Sequence, residues 1–115
     1  GFSKRMLVSY SETLAAMLAP QSIRVNCLHP TNCNTNLLHN DEVYGVFRPD
    51  LDAPTTDDVM PAFVHFQGMP IPWVEPVDIS NVVVFLASDE ARYITGLQVR
   101  IDAGSMLKWP NGPQG

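Results

Sequence analysis

Basic side chains are scarce in this sequence: seven Lys and Arg stand against twelve Asp and Glu, a formal net charge of -5 at pH 7. Affinity for a phosphate backbone comes from clustered cations that displace counterions. Seven scattered ones point away from nucleic acid as a partner. Cysteine is nearly missing as well, since Cys27 and Cys33 are the whole complement. Two are too few for a disulfide framework, so reduced thiols are expected. No apolar run approaches the ~18 residues that cross a bilayer, and no charged segment followed by an apolar one opens the chain. The expectation is a cytoplasmic protein with no membrane partner. A starting methionine is also lacking. Gly1 leads through Phe2-Ser3-Lys4 straight into a helical pattern with no capping residue ahead of it, as expected of a chain that begins inside an element.

What is present is ordinary globular material, 115 residues of which 45% are hydrophobic and 17% charged. Phe2, Met6, Tyr10, Leu14 and Met17 recur at helical spacing and predict an amphipathic helix to Leu18, ended by Pro20. Ile23 to Leu28 alternates with β-branched residues and predicts a strand closed by Pro30. Between Asn32 and Trp73, prolines at 49, 54, 61, 70 and 72 interrupt short apolar clusters, with helical turns expected at about 41–47 and 56–67. So long an excursion between core elements reads as a lid or binding loop. Glu75-Pro76-Val77-Asp78 opens another helix, with proline at its first position and a carboxylate near the orphan amides. The run Ile79 to Ala87 is nearly all apolar, which predicts burial on more than one side. Leu97, Val99 and Ile101 then alternate with polar residues as a second strand, closed by Asp102-Ala103-Gly104, and the turn-rich tail Trp109-Pro110-Asn111-Gly112-Pro113 needs an anchor. Helix, strand, helix, strand is an α/β order. Two strands alone make no stable parallel sheet, so these elements are expected to form part of a larger one.

Single residues read blandly. Lys4 in isolation is a solvated helix lysine, and Phe63 and Phe66 share a helical face that suits core or pocket equally. Cys27, His29, Cys33 and His39 lack the tight paired spacing of zinc ligands, so no metal is expected.

In combination they say more. A Ser3-Lys4 pair near the start of an amphipathic helix, "APQSIRVNCLHP" leading to a threonine, and "EPVDISNVVVFLASDEARYITGLQVRIDAG" strongly resemble the C-terminal half of the short-chain dehydrogenase/reductases. The segments "HPTNCNT", "FRPDLDAPTTDD", "PIPWVEP" and "EARYITG" resemble the mycofactocin-coupled, carveol dehydrogenase-like subgroup. The resemblance implies that residues 1–115 are the C-terminal part of a Rossmann-type doubly wound parallel sheet, a fragment of one domain, with a substrate loop at about 32–73. It implies hydride transfer between an alcohol and a carbonyl with NAD or NADP, NAD being favoured. Lys4 matches the lysine of the family's Tyr-x-x-x-Lys signature, both catalytic and cofactor-binding, and the tyrosine would fall immediately before Gly1. The serine and the glycine-rich phosphate turn would lie further upstream.

Ligands of such sheets bind beyond the carboxyl ends of the strands, which accounts for the polar corner after the first strand. By the resemblance Pro30, Thr31, Cys33 and Thr35 contact the nicotinamide, through the backbone of Cys33 and the hydroxyl of Thr35. Asn32 stands where the family usually has glycine, Cys33 where it has valine or isoleucine, and Asn36 where proline often follows. Tyr44, Phe47, Phe63 and Trp73, with Met60, Phe66 and Met69, would wall a site for a hydrophobic, terpenoid-like alcohol or ketone. A mycofactocin redox partner and a homotetramer are implied too. Two alternatives stand beside this one: an inert interaction module whose apolar helices pair with another subunit, and a ketoacyl-carrier-protein reductase, which would need a basic patch that Arg48 alone does not make.

Overall fold

The structure is a computed structural model and describes residues 2–110. Gly1, the position before it and the Asn111-Gly112-Pro113 part of the tail lie outside the described residues. Helix α1 (Phe2–Leu18) passes into a 3-10 turn at Ala19–Gln21 that carries Pro20 at its start, and Ser22 reverses the chain in left-handed backbone at φ 59°. Strand β1 (Cys27–Pro30) pairs in parallel with β2 (Gln98–Ile101), Cys27 lying opposite Gln98 and Pro30 opposite Ile101.

The first strand is shorter than its alternation predicts, and side chains explain why. Val25 N–H donates to Thr95 Oγ1 at 3.1 Å and Leu97 N–H donates to Asn26 Oδ1 at 3.0 Å. Asn26 Nδ2 also reaches the Ile94 carbonyl at 3.1 Å. Two of the bonds that would extend the ladder through 25 and 26 are thus made to side chains, leaving the Val25 carbonyl to accept the N–H of Gly96 at 2.7 Å, and Gly96, at φ 74°, turns the incoming chain. Pairing resumes beyond Pro30 through one further rung. Val74 N–H donates to the Asn32 carbonyl at 2.8 Å and Asn34 N–H to the Val74 carbonyl at 2.9 Å, a parallel bridge between Cys33 and Val74.

The excursion between those two points folds on itself. Helix α2 (Asp41–Phe47) starts where the Asn40 side chain accepts the Val43 N–H at 2.9 Å. Helix α3 (Thr56–Phe66) starts with a reciprocal cap between Thr55 and Asp58. It keeps Pro61 inside, forgoing one ladder bond, because its opposite face is locked: Val59 and Phe63 have no exposed surface. With Leu38 and Tyr44 they form a buried cluster that Val43, Phe47 and Trp73 pack against. This core lies in the excursion, not under the sheet.

Helix α4 (Pro76–Ala87) departs from expectation. None of its residues is buried, and Val83, Val84 and Phe85 stay 47%, 69% and 44% exposed. Two strands offer the helix one narrow surface, and it meets β2 across an apolar groove lined by Val82, Phe85, Leu86, Leu97 and Val99. The radius of gyration, 16.6 Å, exceeds the about 13 Å of a chain this long closed around one core.

Helix α5 (Ser105–Lys108), which the sequence did not announce, follows a turn shaped by Asp102. Its two carboxylate oxygens accept the N–H groups of Gly104 and Met106 at 3.0 and 3.1 Å. The Ala103 carbonyl receives the N–H groups of Gly68 and Met69 at 3.0 and 2.8 Å, bringing the end of the excursion against this turn. A Cβ on Gly68 would stand 2.8 Å from the Gly104 oxygen and 3.0 Å from its carbonyl carbon, both rigid backbone. Gly68→Ala is therefore expected to lower stability by about 1–3 kcal/mol, measured by denaturant unfolding. An unchanged midpoint would mean that the two segments separate freely.

Candidate functional site

Because β1 and β2 are parallel, both end at one edge, where Pro30 closes β1 and the turn 31–35 follows, while the predicted lysine lies apart from that turn on α1. Lys4, half-buried in the first turn of α1, lines a groove of about 500 Å³ together with His29, Gln98, Arg100, Asp102 and Met106. His29 Nε2 meets Gln98 Oε1 at 2.8 Å, and Gln98 Nε2 donates to Ser11 Oγ at 2.9 Å, which fixes α1 to the sheet. Pro30, exposed, ends β1, and Thr31 N–H continues the pairing to the Ile101 carbonyl at 3.3 Å.

Thr31 is buried and its hydroxyl donates to Gln67 Oε1 at 3.0 Å, while Gln67 Nε2 donates to the Pro72 carbonyl at 3.3 Å. At 1% exposure Gln67 is a buried polar group with both ends of its amide occupied. The bridge to Val74 uses the groups of Asn32 and Asn34, so the N–H and carbonyl of Cys33 are turned to the opposite side. There the Cys33 carbonyl receives Thr35 N–H at 2.7 Å, with the exposed Thr35 hydroxyl 3.5 Å away. Asn32 Nδ2 is buried with no partner among the described residues. A backbone amide, an exposed hydroxyl and an orphan donor on one turn can exchange bonds with a group that both donates and accepts, such as a primary carboxamide.

The predicted substrate residues form a separate cluster; none of them lines the groove at Lys4. Phe47 meets Phe63 edge-on at 4.7 Å, Tyr44 and Trp73 approach Phe63 at 6.2 and 6.3 Å, and His39 meets Trp73 at 4.8 Å. Tyr44 and Phe63 are buried, Phe47 and Trp73 half-buried, and Met69 exposed. The accessible part of any apolar wall is thus the half-buried Phe47, Met60, Phe66 and Trp73 with the exposed Met69, backed by Phe63.

Sequence reasoning missed the groups that hold this region. Lys108 Nζ donates to the carbonyls of His65 and Gln67, and Trp109 Nε1 to that of Phe66 at 3.0 Å, so a cation and an indole cap the C-terminal end of α3. That gives Trp109 the anchor its tail needed. The 43 residues separating Trp109 from Phe66 leave no local pattern to read. His39, weighed in the sequence only as a metal ligand, bonds Asn34 and Tyr44.

At the start of the excursion's second helix, Arg48 forks onto Asp50 with two bonds of 2.9 Å and donates to the Asp58 carbonyl at 3.0 Å. Asp50 is held below the usual carboxylate range by that hydrogen bond, and Arg48 is raised by it. Asp58 is held low chiefly by the Thr55 N–H and then by the Thr55 hydroxyl. All three are solvated, so the ion pair itself adds little.

A family model described as enoyl-(acyl carrier protein) reductase matches residues 1–106. A putative short-chain type dehydrogenase/reductase of Mycolicibacterium smegmatis is 52% identical over 106 residues, and the (-)-trans-carveol dehydrogenase of Rhodococcus erythropolis is 47% identical over 106, each over 92% of this chain. The crystal structure of carveol dehydrogenase from Mycobacterium avium in complex with NAD superposes with a TM-score of 0.86 at 44% identity over 90% of the chain. The chain spans 38% of the length of each of these three proteins.

The lowered Asp58 pKa sets a pH window. Its contribution is present above the unfolded value near ~4 and is lost as pH falls through the lower folded value. Acid unfolding of the excursion, followed by near-ultraviolet circular dichroism, is expected to steepen below about pH 4. Asp58→Asn should already be less stable at neutral pH, with a shallower acid loss. Parallel acid profiles in the two proteins would place the sensitivity elsewhere.

Proposed function

From the chain's membership of the short-chain dehydrogenase/reductase family, we propose that its protein interconverts a hydrophobic alcohol and the corresponding carbonyl compound with a nicotinamide cofactor. The observation that carries this is the position of Lys4, half-buried on α1 and lining the groove between that helix and the strands with His29, Gln98, Arg100 and Asp102. Its ammonium would bond the cofactor's ribose hydroxyls and, by its charge, lower the pKa of a neighbouring phenol that exchanges the proton. The Cys33 backbone and Thr35 hydroxyl would take the carboxamide, Pro30 would fix the turn's entry, and Thr31 would hold it through Gln67. The nicotinamide, when bound, supplies or accepts the hydride.

The finer reading is a terpenoid-like alcohol, since Phe47, Trp73 and Met69 offer apolar surface and Tyr44 and Phe63 support it from behind. The carveol dehydrogenases among the relatives favour it, and the one solved with NAD favours NAD over NADP. Reoxidation by a mycofactocin partner, a homotetramer and a cytoplasmic location belong to the same proposal. Among the described residues no helix is long and apolar enough to cross a membrane. A carrier-bound acyl substrate is the second reading, favoured by the description of the matching family model. Against it, residues 32–73 hold no lysine and a single arginine, Arg48, which is already tied to Asp50.

The test is turnover in the full-length protein, followed by the absorbance of reduced nicotinamide with a monocyclic terpene alcohol and a short linear alcohol compared. Lys4→Met keeps the stem and removes the charge, and should lower kcat/KM by about 10²–10⁴-fold. Unchanged turnover in that variant would remove Lys4 from the chemistry. A wild-type protein that assembles without binding nicotinamide would favour the interaction-module alternative.

A further inference from the structure

A chain of side-chain hydrogen bonds runs from the excursion's core to the start of α4. Thr56 Oγ1 lies 2.9 Å from Tyr44 Oη, Tyr44 Oη 2.7 Å from His39 Nδ1, and His39 Nε2 2.6 Å from Asn34 Oδ1. Asn34 Nδ2 donates to both oxygens of Glu75, at 3.2 and 3.1 Å, and Trp73 Nε1 donates to one of them at 3.2 Å.

The direction of the whole chain follows from its last member. A carboxylate only accepts, so Asn34 must present its NH₂ to Glu75 and its carbonyl to His39. His39 must then carry its proton on Nε2 to donate to that carbonyl. In the neutral ring Nδ1 is then the acceptor, so Tyr44 donates to it, and the Tyr44 oxygen accepts from Thr56. One tautomer satisfies every member, and the exposed Glu75 carboxylate selects it.

We propose that His39 is a positioning residue that couples the packing of the excursion to the turn at Thr35. The inference rests on reading Thr35 and the Cys33 backbone as cofactor contacts. Geometry supplies the coupling. On one side the ring bonds Tyr44, whose own ring is buried against Phe63. On the other it bonds the side chain of Asn34, the residue between Cys33 and Thr35. The backbone closes the clamp, because the Thr35 carbonyl accepts the N–H groups of both Leu38 and His39 at 3.0 Å. Displacing α2 therefore pulls on Asn34, and filling the cofactor turn stiffens α2.

The two halves of the ring can be removed separately. A glutamine at 39 places an amide nitrogen near the Nε2 position and keeps the donor to Asn34. An asparagine places an amide oxygen near Nδ1 and keeps only the acceptor for Tyr44. In the full-length protein, His39→Asn should weaken NADH binding about tenfold, the worth of one lost hydrogen bond, with His39→Gln within about twofold of wild type. His39→Gln should instead raise KM for the alcohol, since it frees Tyr44, while kcat changes little. A side chain that merely packs would lower thermal stability and cofactor affinity together in both variants, and that result overturns the proposal. Two readouts are independent of cofactor. Nitrogen-15 spectra of the wild-type ring should show the Nε2–H tautomer. The amides of Asn34 and Leu38 should lose exchange protection in His39→Asn and keep it in His39→Gln. An Nδ1–H ring, or equal protection in both variants, overturns the proposal even if NADH does not bind and the functional reading falls.

Discussion

Everything near the candidate site depends on two backbone hydrogen bonds, those that join Asn32 and Asn34 to Val74. They bring together the points where the long excursion leaves the sheet edge and where it returns. Closing a loop costs entropy that grows only slowly with its length. The more demanding requirement is a place for its ends to meet, and the continuation of parallel pairing past Pro30 provides one. Thr31 and Gln67 reinforce that junction with a buried side-chain bond, and Gln67 passes it on to Pro72. The turn is therefore held through the backbone of Asn32 and Asn34, which leaves the N–H of Cys33 facing away from that junction.

Once its ends are pinned, the excursion can hold a core of its own. Phe63 and Val59 are fully buried there while Val84 and Phe85 on α4 remain open. That distribution inverts the usual picture of a sheet-centred core with a loose loop. The edge-to-face contacts around Phe63 add about 0.5–1.5 kcal/mol per pair beyond area burial. Capping by Lys108 and Trp109 then ties α3 to the segment after β2. The excursion is thus gripped at both ends, by the strand edge and by α5.

What the sequence made legible was the part written locally. Helical turns expected at about 41–47 and 56–67 are found at 41–47 and 56–66, and the structure adds their caps, Asn40 and the Thr55 and Asp58 pair, which act over three residues. Pro76 announces α4 just as locally. The start of β1 was not legible, because Thr95 and Asn26 decide it across the fold. Nor was the exposure of α4, since an apolar helix carries no mark of how much surface its neighbours offer. The residues at the sheet edge were identified by family resemblance, and the structure groups Thr31, Cys33 and Thr35 on one turn. The aromatic residues were legible as a set but not as core: Phe63 and Phe66 fit either role by spacing, and only the closure of the excursion distinguishes Phe63, fully buried, from Phe66.

His39 shows most clearly where a one-dimensional reading stops. By residue type it belongs with Cys27, His29 and Cys33, whose spacing argues against a metal site. In three dimensions its role is set by Glu75, a residue it does not touch, acting through the amide of Asn34. Hydrogen bonds with one allowed direction carry information along a chain in a way that apolar contacts do not, because each member constrains the next. The apolar cluster around Phe63 would tolerate a small shift of α2 by sliding. The polar chain would resist it, since moving any one member breaks directed bonds on both of its sides. The excursion's position relative to the turn at Cys33 to Thr35 is therefore fixed by polarity, and its shape by packing.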